Sequence, residues 1–191
     1  MAELLLLAVA ASLANQCAFL GQFGPRCAVP ARHRVAAASA LGITALCTLP
    51  LAAASTRALV AALQAPSTPL AILLLAVLTA SLAAASVALV IPRLPSLRET
   101  RVELAPPAVA SQLILALACL RPDQCASVAD ALGRGATAAA AFAVVQALFT
   151  PFAERLAGGD EPASLGGVPA LVTATGLLML GIAGLDGLVT P

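Results

Sequence analysis

Leu70 to Ile91 reads LAILLLAVLTASLAAASVALVI, a run without a single charged residue or proline. About 20 apolar residues wound as a helix cross the roughly 30 Å hydrocarbon core of a bilayer. Pro69 to Ile91 therefore reads as a membrane span. A strand reading does not compete, because the run is too long and too rich in alanine. Its ends have local causes. Pro66 and Pro69 precede it, and proline is tolerated in a first helical turn, where the missing N–H has no partner to lose. Pro92 and Pro95 close it, since proline cannot continue the hydrogen-bond ladder.

The same pattern recurs on both sides. Glu3 to Gly21, Val35 to Ser55, Leu104 to Leu120 and Val168 to about Val189 are further apolar segments. A fifth apolar stretch runs from about Gly135 to Phe152, and its helix is expected to start earlier, near Ser127. Ser127 and Asp130 have the spacing of a capping box. Asp130 and Arg134 would then pair at i,i+4 on the first turn. The count is six segments in 191 residues, of which 61% are hydrophobic and only 10% charged. A soluble domain needs about 25% charged residues to face water, so a soluble globular fold and a disordered chain are both excluded. The expected fold is an all-α integral membrane protein of six transmembrane helices in one membrane domain, residues 1–191. A net charge of +1 gives no sign of a nucleic-acid partner. The lipid bilayer is the partner that the composition demands. Glu3 stands where a secretory signal has basic residues, so the first segment is expected to be retained.

Arginine sets the orientation. With six crossings, loops one, three and five hold Arg26, Arg32, Arg34, Arg93, Arg98, Arg101 and Arg155. The opposite side holds Arg57, Arg121 and Arg134. The positive-inside rule puts the richer side in the cytoplasm and both termini outside. His33, within ARHR, is then expected in a basic cytoplasmic loop near lipid head groups.

Polar residues inside the apolar segments are the candidate functional groups. Asn15 and Gln16 lie in the first segment, and Ser111 and Gln112 in the fourth. Their contexts are alike: SLANQCAFL from Ser12 and AVASQLILA from Ala108. The first and fourth segments each open a set of three, and three crossings reverse direction. This is the pattern of two inverted three-helix repeats, about 1–95 and 100–191, with a shared site near the midplane. The same amides also serve simply to join helices by hydrogen bonds. Two interruptions, Gln22-Phe23-Gly24-Pro25 and Pro106-Pro107, read either as broken helices or as helix ends. Asp186, near the end of the sixth segment, is expected at the interface, and Gln146 is expected to make an interhelical hydrogen bond. Of the five cysteines, Cys17, Cys47 and Cys119 read as small buried apolar residues, while Cys27 and Cys125 fall on opposite sides.

The motifs in their order resemble the Rnf/Nqr family of membrane subunits of ion-translocating electron-transport complexes, of the RnfA/NqrE type. LANQCAFLGQFGPRC in the first segment is similar to the family's Asn-rich stretch leading to a Gly-x-Cys turn. Pro107-AVASQ-Leu113 is similar to its proline followed by Thr-Thr-Asn-Cys. FAERLA, from Phe152 to Ala157, is similar to its Arg-Glu-Arg-Leu segment, and the last segment, PALVTATGLLMLGIAGLDGL, is similar too. The resemblance covers the whole chain. It implies a multi-pass subunit of the bacterial inner membrane, packed against a homologous RnfE/NqrD-like membrane subunit and working with further redox subunits. It implies an iron–sulfur cluster shared with that partner, and transmembrane electron transfer coupled to proton or sodium movement. Carried over residue by residue, the first ligand position falls on Arg26 with Cys27 beside it, and the second on Leu113, where Gln112 replaces the family's Asn. Cys27 is thus the candidate cofactor and metal ligand. Asn15, Gln16, Ser111 and Gln112 are candidates for the ion path or for helix packing. Two other functions fit the segments themselves: an independent six-helix exporter of small solutes, and a structural subunit without a cluster.

Overall fold

The computed structural model describes residues 9, 11–12, 31–63, 68–93, 101–121, 125–157, 173–178, 180–181 and 184. Among them there is no strand. Four helices make up most of the described chain: α1 (Ala31–Ala62), α2 (Thr68–Val90), α3 (Arg101–Cys119) and α4 (Val128–Ala157). Three of these contain stretches long and apolar enough to cross a membrane, Ala37–Ala62, Pro69–Val90 and Val128–Pro151. Helix α3 has a shorter apolar part, Ala108–Cys119. At 1.5 Å per residue this covers only about 18 Å, less than the hydrocarbon thickness. The proposed first span lies almost wholly outside the described residues, as does much of the sixth. Within them Val9, Ala11, Ser12 and residues 173–178 are helical.

The sequence accounts for several of the boundaries. Helix α2 starts at Thr68 with Pro69 in its first turn, and ends at Val90 in a 3₁₀ turn, Ile91–Arg93, that contains Pro92. Helix α4 starts at Val128, and the Asp130 N–H donates to Ser127 Oγ at 3.1 Å. Arg134 Nε lies 3.4 Å from Asp130 Oδ1. The cap and the pair are the ones the spacing predicts. Three expectations are corrected. Arg32, His33 and Arg34 lie in the first turn of α1, not in a loop. Helix α1 runs past Ser55 to Ala62, because Thr56 and Arg57 extend the helix beyond its apolar part. Pro106 and Pro107 do not interrupt a helix: α3 begins at Arg101 and passes through both. The Val102 and Glu103 carbonyls there receive no i,i+4 bond, since proline has no N–H.

Helix α1 is the centre of the described bundle. It packs most extensively on α4, and then on α2, which in turn packs on α3. The α1–α4 contact is antiparallel and close. A Cβ built on Gly42 would stand 3.2 Å from Ala143 Cβ, and one on Gly135 would stand 2.7 Å from Pro50 Cα. Small residues let the two backbones approach, which is how helices associate where lipid is as apolar as leucine. Helix α2 turns Ala71, Leu75, Thr79, Ala83 and Val87 inward at four-residue spacing, with Leu73, Val77 and Leu89 exposed on its other side. That outward apolar face suits lipid rather than water.

Candidate functional site

Five of the nine buried polar residues among the described residues lie on α1 and α3. Threonines at positions 44, 48 and 56 share one face of α1, since residues four apart stack on a helix. All three are buried. Each hydroxyl donates to a carbonyl of its own helix: Thr44 Oγ1 to Leu41 at 2.9 Å, Thr48 Oγ1 to Thr44 at 2.9 Å, and Thr56 Oγ1 to Ala52 at 2.7 Å. Such back-bonding satisfies a hydroxyl locally, so threonine is tolerated inside a membrane helix.

Gln112 of α3 reaches into this face and is 0% exposed. Its Nε2 donates to Thr44 Oγ1 at 2.8 Å, and its Oε1 accepts from Thr48 Oγ1 at 2.5 Å. A buried amide in hydrocarbon costs several kcal/mol if unpaired, and these two threonines remove much of that cost. They also fix the height of α3 along α1. A shift of one turn in either direction would set Gln112 against Ala40 and Thr44 or against Thr48 and Ala52, and so lose one of its two hydroxyl partners. Ser111, beside it, is buried and donates to the Ala108 carbonyl at 3.0 Å.

Among the described residues, two further buried polar atoms have no hydrogen-bond partner, Gln146 Nε2 on α4 and Thr79 Oγ1 on α2. Gln146 is 2% exposed and Thr79 is 0% exposed. The interhelical hydrogen bond expected of the Gln146 amide nitrogen is therefore not made. At the end of α1, Arg57 Nε donates to the Cys125 carbonyl at 2.9 Å, tying that end to the segment before α4.

The sequence candidates divide as follows. Ser111 and Gln112 lie in the interior, and Gln112 makes the contacts just given. Asn15, Gln16, Arg26, Cys27 and Asp186 lie outside the described residues. Leu113, the position matched to a family cysteine, is half-buried and has no sulfur. Cys119 is six residues further along α3, about 9 Å along the axis. The described part of the expected cluster site thus does not fit an iron–sulfur centre, and no group of three or more His, Cys, Asp or Glu among the described residues is placed to hold a metal. Cys119 is buried as expected, but Cys47 is exposed on the outside of α1.

Sequence reading missed Thr44 and Thr48. Their signal was present as threonines four apart within an apolar segment. Threonine is nearly neutral in hydropathy, so it did not stand out as the amides did. Comparison with protein-family models, with curated proteins and with solved structures finds no match to this chain.

Proposed function

We propose that the chain is a membrane subunit of an ion-translocating electron-transport complex of the Rnf/Nqr kind, and that it lines part of the ion path beside a homologous partner. The carrying observation is Gln112. It belongs to the proline-to-leucine motif that resembles the family's second ligand motif, and it is wholly buried between α3 and the threonine face of α1. A polar motif residue held inside a bundle supports this reading, since transporter sites lie near the midplane between helices.

The proposed architecture is six spans in two inverted three-helix repeats, with both termini outside and the arginine-rich loops in the cytoplasm of a bacterial inner membrane. Helices α1 and α4 would be the second members of the two repeats. Inversion requires them to run in opposite directions, and their antiparallel contact supports this reading. With Leu113 at the second ligand position, no electron-transfer step is routed through a cluster on this chain. Its part is to hold the partner and to conduct the ion.

Mild-detergent purification from the native membrane tests the proposal. The expected result is co-purification of a homologous membrane subunit with flavin- and iron-containing subunits. A chain that purifies without redox partners and moves a small solute alone in liposomes would overturn it in favour of an exporter.

A further inference from the structure

We propose that the arginines at the starts of α1 and α3 form a binding site for the head group of an anionic phospholipid. Arg32, His33 and Arg34 stand in the first turn of α1, and Arg101 is the first residue of α3. The bundle brings them to one level. Short connections make α1, α2 and α3 alternate in direction, so α1 and α3 start at the same end. The Gln112 hydrogen bonds fix their relative height. At 1.5 Å per residue, Arg34 stands about 18 Å before the midpoint of Thr44 and Thr48, and Arg101 about 17 Å before Gln112. Arg93, in the 3₁₀ turn that ends α2, and Arg155, near the end of α4, come to the same end. Among the described residues the acids at this end are Glu103 and Glu154, against five arginines.

The placement of the charges selects an anion. A helix start is the positive pole of the helix dipole, where acids are favourable and cations are not. The start of α4 obeys this, with Ser127 as cap and Asp130 in the first turn. The start of α1 does the reverse, with three basic residues and no acid in its first turn. An anion beside it gains from the arginines and from the pole together. The opposite end of the bundle differs. There Arg57 donates to the Cys125 carbonyl and Arg134 pairs with Asp130, so both are engaged within the protein.

The level of the arginines identifies the anion as a lipid. Arg34 stands three residues, about 5 Å, before the apolar stretch Ala37–Ala62. For a helix that crosses a bilayer this is the depth of the head groups. Basic pockets between the cytoplasmic ends of membrane helices bind anionic head groups, and the arginine fork matches phosphate oxygens in pairs.

Native mass spectrometry of the purified full chain tests the site. Phosphatidylglycerol and phosphatidylcholine share a phosphate and differ in net charge, and each is titrated into the detergent-solubilised protein. The expected result is retention of phosphatidylglycerol at least about tenfold tighter than of phosphatidylcholine. Arg32→Gln/Arg34→Gln/Arg101→Gln should remove most of that preference, while Arg121→Gln at the opposite end should keep it. Equal retention of the two lipids by the unaltered chain overturns the site, with no variant needed. A preference that survives in the triple variant, shown to be folded by its circular dichroism, overturns it too. Displacement of the lipid by millimolar inorganic phosphate overturns the lipid assignment in favour of a soluble anion. The site does not depend on redox partners, so it stands or fails apart from the complex-subunit reading.

Discussion

Helix α1 makes two contacts of opposite kind. Against α4 it is joined by small residues, with Gly42 facing Ala143 and Gly135 facing Pro50 and Leu49. Against α3 it is joined by the Gln112 amide between two threonine hydroxyls. The first contact gains from close van der Waals approach and depends on the absence of side chains. The second gains from hydrogen bonds and depends on particular atoms at a particular height. In a bilayer neither is helped by the hydrophobic effect, because lipid is as apolar as the core. The first contact can therefore carry strength, while the second carries register.

Gly135→Val should break the first contact and have the largest effect. The new Cβ would lie 2.7 Å from Pro50 Cα and 2.8 Å from the Leu49 carbonyl oxygen. Both are backbone atoms, so no rotamer change relieves the clash and the helices must separate. The cost is about 3 kcal/mol, the upper end for overpacking, read as a loss of helix at lower detergent denaturant in a graded SDS titration. Gly133→Ala is the control. Nothing lies within 4 Å of its added Cβ, so the change should stabilise α4 by up to about 1 kcal/mol through helix propensity.

How far the fold was legible follows from the same contrast. Span α2 was readable almost to the residue, because a long apolar run between prolines has one physical solution. The start of α4 was readable from Ser127, Asp130 and Arg134, whose spacing is local. The α1–α4 seam was not, because a glycine shows its purpose only once the facing helix is known. Gln112 stood out as an amide among apolar residues. Thr44 and Thr48 did not, since threonine hides its hydroxyl in a carbonyl of its own helix. Pro106 and Pro107 misled, because α3 begins a turn and a half before them and so they do not mark its end.

The second contact is tested by removing either side of it. Thr44→Val/Thr48→Val strips the Gln112 amide of both partners and leaves it buried. An unsatisfied buried group costs about 2 kcal/mol. Gln112→Leu is milder. Thr44 keeps the Leu41 carbonyl and Thr48 keeps the Thr44 carbonyl, so only two interhelical hydrogen bonds are lost. At about 0.6 kcal/mol each in a membrane, the cost is about 1 kcal/mol in the same titration. If Gln112→Leu proves the costlier of the two, the contact is held by the shape of the glutamine and not by its hydrogen bonds.

The smallest effect belongs to a partly exposed ion pair near the start of α4, and it sharpens what burial contributes. Arg134 and Asp130 pair at 3.4 Å on the first turn of α4, with side chains 34% and 37% exposed. An ion pair in water contributes little and is screened by salt. Arg134→Gln should lower stability by less than about 0.5 kcal/mol, and by less still at 1 M salt. The threonine–glutamine cluster carries no charge and lies out of water, so the penalty for Thr44→Val/Thr48→Val should not change with salt. Measured side by side in low and high salt, the charged pair should fade while the neutral cluster holds. A cluster penalty that faded with salt would mean that Gln112 is not shielded from the bulk, and the register argument for α3 would then fail.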